Sequence, residues 1–208
     1  GDGGFVELSG KGSVRLGRLV DSVDVSATAG HSGTLLIDPN DIEVVAGDPE
    51  TTGDEIGGSP TSKDTLYAND VSAFLGTSNL IIQTDSGVMT GVGNITIRED
   101  VVISWTSGND LTFMADRDFV METGSRITNS TTGGVSINAG RSIQMAEGSE
   151  INLGSGNVFL ENYTAFDPET SDLAAIYAAG MADGILLTSA KIMTVDGNID
   201  IKGKSGVG

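Results

Sequence analysis

Short apolar patterns recur along the middle of the chain at a fixed interval. Leu111-Thr112-Phe113, Val135-Ser136-Ile137 and Val158-Phe159-Leu160 each place an apolar residue on either side of a middle position, and each follows a polar or Gly-containing corner at spacings of 24 and 23 residues. Two further series run alongside: Phe119-Val120-Met121 lies 24 residues before Ile143-Gln144-Met145, and Ile127 lies 24 before Ile151-Asn152-Leu153. The three series are offset by about eight residues. Alternation with period two is the signature of a strand, so this pattern predicts three short strands per repeat. A return to the same phase after about 24 residues predicts a parallel β-helix, a solenoid in which each strand stacks on its equivalent one turn away. An antiparallel sandwich or barrel also spaces strands at eight to twelve residues, but it requires no return at 24. Asn-Gly is absent, and only Asp196-Gly197 lies as an Asp-Gly pair between two strand-like runs.

Outside the middle third the rhythm is looser. Leu80-Ile81-Ile82, Ile95-Thr96-Ile97 and Val101-Val102-Ile103 read as strands, with Ser86 to Gly93 as a turn. One phrase recurs as Gly93-Asn94-Ile95-Thr96-Ile97, Gly156-Asn157-Val158-Phe159-Leu160 and Gly197-Asn198-Ile199-Asp200-Ile201. Two segments break the pattern. Asp48 to Asp64 is polar, acidic and Gly-containing and is expected to project as a loop. Ser171 to Gly184 is the helical candidate, with Ser171 as cap, Leu173, Ile176, Tyr177 and Met181 on one face, and Gly184 as stop. The expected organisation is a single β-helix segment over residues 1–208, with a projecting acidic loop at 48–64 and a helical excursion at 171–184.

Composition sharpens this picture. Aromatic residues are 5% of the 208, so Val, Ile, Leu, Met and Ala must fill the core, and 30 glycines against 4 prolines suit many tight corners. The formal charge of −18 argues against nucleic acid as partner, since phosphate neutralisation needs clustered Lys and Arg, and against an anionic membrane surface. Without cysteine there are no disulfides and no thiolate metal sites. No apolar run is long enough for a transmembrane helix and no signal peptide is evident, so membrane insertion is not expected. Both ends fall in mid-pattern, as in a segment of a longer protein.

The N-terminal residues carry a resemblance. Gly3-Gly4-Phe5-Val6-Glu7-Leu8-Ser9-Gly10, then Val23-Asp24-Val25-Ser26-Ala27, then Gly33-Thr34-Leu35-Leu36-Ile37-Asp38-Pro39-Asn40-Asp41-Ile42 resemble the filamentous haemagglutinin type of large exoprotein. Members of that family carry phrases similar to GGFVETSG, a VDVSA-like strand and GTWLLDPNDI, in that order and spacing; Leu35 stands where many of them have Trp. The match covers roughly the first 45 residues, and the remainder is similar only in repeat character. The resemblance implies a right-handed β-helix in a secreted or cell-surface adhesin of a Gram-negative bacterium, exported by two-partner secretion.

Candidate chemistry is weighed against plainer roles. Asp38, Asn40, Asp41 and Glu43 invite a calcium reading, but an EF-hand loop needs Gly at its sixth position and Glu at its twelfth, where Glu43 and Pro49 stand. The simpler expectation is that Asp38 caps a corner through its own side chain while Pro39 and Asn40 turn it. Asp116-Arg117-Asp118 is expected as a solvated corner. His31, flanked by glycines and without a second His or Cys, is expected as a loop residue and not a metal ligand. Gly154-Ser155-Gly156 precedes a strand and so does not signal a dinucleotide. Asn94-Ile95-Thr96, Asn129-Ser130-Thr131 and Asn162-Tyr163-Thr164 match the N-glycosylation pattern at the rate chance allows. No catalytic, cofactor or metal residues are assigned, and the chain is not expected to be an enzyme. The expected function is a structural and adhesive segment that presents loops, self-associates into a fibre or continues into neighbouring segments, and meets a host-cell or glycan receptor. The alternative is a polysaccharide-acting β-helix enzyme or glycan-binding module, in which paired carboxylates would line a groove.

Overall fold

A computed structural model describes residues 1–10, 19–47, 64–85, 93–163 and 184–204. Seventeen strands are formed among them. The first sheet stacks β1 (Phe5–Ser9), β2 (Thr34–Asp38), β5 (Asn79–Gln83), β8 (Leu111–Ala115), β11 (Val135–Ala139), β14 (Val158–Asn162) and β17 (Ile199–Lys202) in that order. The second stacks β4 (Asp64–Tyr67), β3 (Ile42–Val45), β6 (Ile95–Ile97), β9 (Asp118–Met121), β12 (Ser142–Met145) and β15 (Ile185–Leu187). The third stacks β7 (Val102–Trp105), β10 (Arg126–Asn129), β13 (Glu150–Leu153) and β16 (Lys191–Thr194). Every pairing among these strands is parallel, which rules out the antiparallel sandwich. From β5 to β17 the chain visits the three sheets in strict rotation, so each strand pairs with the one three elements on.

Register follows the hydrophobic repeat residue for residue. Leu35, Leu80, Leu111, Val135 and Val158 form one ladder of the first sheet, and Ile37, Ile82, Phe113, Ile137 and Leu160 form another. All ten are buried. Ile42, Ile95, Phe119 and Ile143 do the same in the second sheet, and Ile103, Ile127 and Ile151 in the third. Because successive strand residues point to opposite faces, a slip of one position would turn these ladders outward, and burial of one face fixes the register. Phe113 and Phe119 meet across a corner with ring centroids 4.9 Å apart.

The corners are turned by small residues stacked on one another. A Cβ on Gly156 would stand 2.0 Å from the Gly133 carbonyl oxygen, and one on Gly197 would stand 1.9 Å from that of Gly156. Only glycine allows the backbones to approach so closely. Gly156-Asn157 and Gly197-Asn198 therefore hold equivalent places before β14 and β17, whereas Gly93-Asn94 introduces β6 in the second sheet. The recurring phrase marks a type of corner and not one position of the repeat. Asp196-Gly197 likewise links β16 to β17 in different sheets and is no hairpin.

Several expectations are corrected. Val23–Ala27 forms no strand: Asp24 Oδ1 accepts from the Ser26 N–H and hydroxyl at 2.9 and 2.6 Å, bending the chain locally. Helix does occur outside 171–184, at α1 (Leu19–Ser22) and α2 (Ala68–Leu75). The apolar Val71, Phe74 and Leu75 face the core from α2, and the Leu19 N–H donates to Asp70 Oδ2 at 2.6 Å, tying the helices together. The third correction is Asp64, which begins β4 and is 1% exposed, so it is no part of a projecting loop. The fourth, at Asp118, is taken up below. The rest of the 48–64 loop and all of the 171–184 helix except Gly184 lie outside the described residues.

Candidate functional site

The acidic corner Asp38-Pro39-Asn40-Asp41 joins β2 to β3, as its flanking apolar runs predict. Its two carboxylates are directed to different neighbours. Asp41 Oδ1 accepts from the Asn94 backbone N–H at 2.7 Å and its side-chain amide at 3.2 Å, one repeat along. Asp38 Oδ2 accepts from Gln83 Nε2 at 3.3 Å, while its Oδ1 is buried with no hydrogen-bond partner. Asp38 thus does not cap its own turn; its bond runs to the adjacent strand. Burial holds the Asp38 pKa above the ordinary carboxylate value, and the Asp85, Glu7 and Asp116 charges push the same way against the Gln83 bond. Among the described residues no group of three or more His, Cys, Asp or Glu side chains converges as a metal site would require.

The Asp41 contact belongs to a general device. Asn79 Oδ1 accepts from the Asp110 N–H at 2.9 Å, Asp110 Oδ1 from Gly134 N–H at 2.7 Å, and Asn157 Oδ1 from Asn198 N–H at 2.9 Å. Corner Asx side chains thereby satisfy backbone donors of the following repeat where the strand ladder does not reach them. The sequence signal was present as Asn or Asp at the entry to β3, β5, β8 and β14, but it is shared with ordinary turns.

The other singled-out residues are also built into the scaffold. Asp118 is 6% exposed, pairs with Arg141 and accepts from the Ser142 hydroxyl at 2.8 Å, so the Asp116-Arg117-Asp118 trio is not a solvated corner throughout. The charge of Arg141, one repeat on, is what lets Asp118 be buried. Asn129 and Asn162 are 3% and 0% exposed. Asn129 donates to the Trp105 and Ser107 carbonyls at 3.1 and 3.0 Å, and Asn162 bonds Lys204 N–H and carbonyl at 2.7 and 2.9 Å. Neither presents a free amide for glycosylation. His31 is an exposed loop residue whose N–H donates to Asp2 Oδ1 at 3.0 Å. Arg98 bridges Glu122 at 2.8 Å and lies 3.8 Å from Glu43, a surface ion-pair row that places Glu43 in cross-repeat pairing.

Sequence reasoning missed α2, whose place bears directly on the ends of the fold. It lies along the free edge of β7: Ser104 N–H donates to Ser72 Oγ at 2.9 Å, and Ser107 Oγ and Asn109 Nδ2 donate to the Leu75 carbonyl at 2.5 and 2.9 Å. A covered edge cannot pair with a further strand. No helix among the described residues is long and apolar enough to cross a membrane. Compared with known proteins, the chain matches no family model, no curated protein and no solved structure.

Proposed function

We propose that the three parallel sheets close into a right-handed parallel β-helix of about 24 residues per turn, and that this rod is a structural and adhesive segment of a secreted or cell-surface fibrous protein. The observation that carries the reading is the pair of uninterrupted apolar ladders of the first sheet, in register from Leu35 to Val158 and from Ile37 to Leu160. Such stacking makes an extended body whose outer faces bear solvent-facing side chains and whose corners can take insertions without disturbing the core. The scaffold roles of Asp41, Asp118, Asn129 and Asn162 support a non-enzymatic assignment, because the polar side chains that first suggest chemistry are engaged in joining repeats. The resemblance of residues 3–42 to filamentous haemagglutinin-type exoproteins supports display outside a Gram-negative cell, with a host-cell or glycan receptor.

Seven strands in the first sheet give six spacings, or about 29 Å along the stack at roughly 4.8 Å each. Small-angle scattering from the purified chain tests the rod, and a glycan array with product analysis tests the function. Retained glycan or host-cell binding without turnover is expected. Released oligosaccharide would overturn the adhesive reading in favour of a polysaccharide-acting enzyme.

A further inference from the structure

We infer that the Asp38-Pro39 peptide bond is a self-cleavage site, cut in mildly acidic surroundings by the Asp38 carboxyl itself. The inference goes beyond the adhesive reading and does not depend on it.

The chain has 4 prolines, and all but Pro60 follow an aspartate, at Asp38-Pro39, Asp48-Pro49 and Asp167-Pro168. Asp-Pro favours turn initiation, but the pair also carries a chemistry. An aspartyl carboxyl lies one methylene from its own carbonyl carbon, so its oxygen can close a five-membered ring on that carbon. The bond to proline is a tertiary amide, whose nitrogen leaves as a secondary amine. Proline has no N–H, so the competing ring closure through the following amide nitrogen is barred. Of the three pairs, Asp38-Pro39 lies within the described residues.

The fold prepares this pair in three ways. Asp38 Oδ1 is buried and has no hydrogen-bond partner, while Oδ2 is held by Gln83 Nε2 at 3.3 Å. A buried polar atom left without a partner calls for an explanation, and an attacking oxygen free of competing hydrogen bonds is one. Next, the Gly10 N–H donates to the Asp38 carbonyl oxygen at 3.3 Å, the atom on which negative charge develops when its carbon is attacked. Lastly, the proton needed by the leaving nitrogen is retained. The charges acting on Asp38 are Asp85 beyond β5, Glu7 of β1 and Asp116 beyond β8; burial and these three carboxylates hold its pKa above the ordinary value, against the Gln83 bond.

In the first step Oδ1 adds to the Asp38 carbonyl carbon as the bond to the Pro39 nitrogen breaks, and the carboxyl proton leaves with that nitrogen. A cyclic anhydride remains on Asp38. One water then opens it, leaving Asp38 as a new C-terminus with two carboxyls and Pro39 as a new N-terminus. In acid the freed amine is protonated and does not attack the anhydride again. Both pieces stay in the fold, because β2 lies between β1 and β5 and β3 lies between β4 and β6. The cut therefore shows only under denaturing conditions.

The test is denaturing intact-mass spectrometry of the full chain after incubation at about pH 5, with circular dichroism confirming that each sample is folded during incubation. Fragments 1–38 and 39–208, whose masses sum to the chain plus one water, are expected. They should form several-fold faster than in a chain unfolded by urea at the same pH, where an ordinary aspartate is mostly ionised. Asp38→Glu keeps the charge but requires a six-membered ring, and is expected to cut about tenfold or more slowly. Glu7→Gln, at an exposed position, removes one of the facing charges and is expected to move the rate profile to lower pH, which a purely structural role for Asp38 would not do. A folded chain that stays whole overturns the inference, and so does cutting no faster than in urea or an unchanged rate in Asp38→Glu. Equal cutting at Asp48-Pro49 and Asp167-Pro168 also overturns it, because the dipeptide alone would then suffice.

Discussion

Ile137→Ala probes whether the stacked ladder is the main source of stability. Ile137 is 0% exposed and lies in register between Phe113 and Leu160, both also 0% exposed. Truncation removes three carbons, worth about 2.4 kcal/mol of transfer free energy at roughly 0.8 per methylene, and the residual cavity raises the cost toward about 4 kcal/mol. The upper part of that range is expected, because Phe113 and Leu160 are held at strand spacing by backbone pairing on both sides and cannot collapse into the gap. The control is Ser136→Ala on the opposite face of β11, expected to stay within about 0.5 kcal/mol of wild type. Urea unfolding followed by far-ultraviolet circular dichroism gives both values, with the midpoint falling and the slope unchanged. A loss below about 1 kcal/mol for Ile137→Ala, or equal losses at the two positions, would refute the argument that inward stacking carries the stability.

Three further outcomes follow from the corners. Asp38 has a folded-state pKa raised above its ordinary value of 3.8, so its ionised form costs stability that is restored as pH falls through the raised value toward 3.8; Asp38→Asn should raise the urea midpoint at pH 7, and this gain should vanish in acid near 3.8, whereas a lower midpoint at pH 7 would contradict the sign. Gly156→Ala pushes a methyl against the Gly133 backbone and is expected to cost more than about 2 kcal/mol, whereas Gly108→Ala meets only the rotatable Thr132 hydroxyl at 2.8 Å and should be mild; thermal melts of the two variants compare them. Asp41→Ala strips the acceptor from the Asn94 N–H and should cost about 1–2 kcal/mol, with Asp41→Asn recovering most of it, both read by denaturant midpoints.

The middle of the fold was legible because one physical constraint wrote itself into sequence. Parallel stacking in register demands an apolar residue at the same phase of each repeat, so 24-residue spacing between Phe119 and Ile143 or Ile127 and Ile151 passes directly into Cα pairing. Elsewhere the same ladders continue, but the chain between equivalent residues lengthens: 45 positions separate Leu35 from Leu80, 31 separate Leu80 from Leu111 and 41 separate Val158 from Ile199. Insertions at corners leave the three-dimensional repeat intact while destroying its period, so β1, β2 and β5 could not be aligned by spacing. The helix α2 was illegible for another reason: its Val71, Phe74 and Leu75 face is only eight residues long, and its N-terminal residue Ala68 has no side-chain cap before it. A helix so short forms because β7 and α1 receive it, not because its own propensity suffices.

The partners of the polar corner residues were not legible because residue type is ambiguous. Asp and Asn serve metal sites, catalytic pairs and backbone capping alike, and only the partner distinguishes these roles. At Asp41, Asp110 and Asn157 the partner is a main-chain N–H of the next repeat. This explains how an aromatic-poor chain without disulfides holds sharp corners: strands satisfy their own backbone groups, while corner donors that would otherwise be left to water or orphaned are taken by side chains one repeat earlier. The same logic applies at the edge of the third sheet. Along the edge of β7, α2 supplies the Ser72 hydroxyl to the Ser104 N–H and the Leu75 carbonyl to Asn109 in the corner that follows, so this edge is covered. A fold built by repetition has no intrinsic stopping point, so the covering of a strand edge must be encoded in residues that depart from the repeat, and at β7 α2 is that departure.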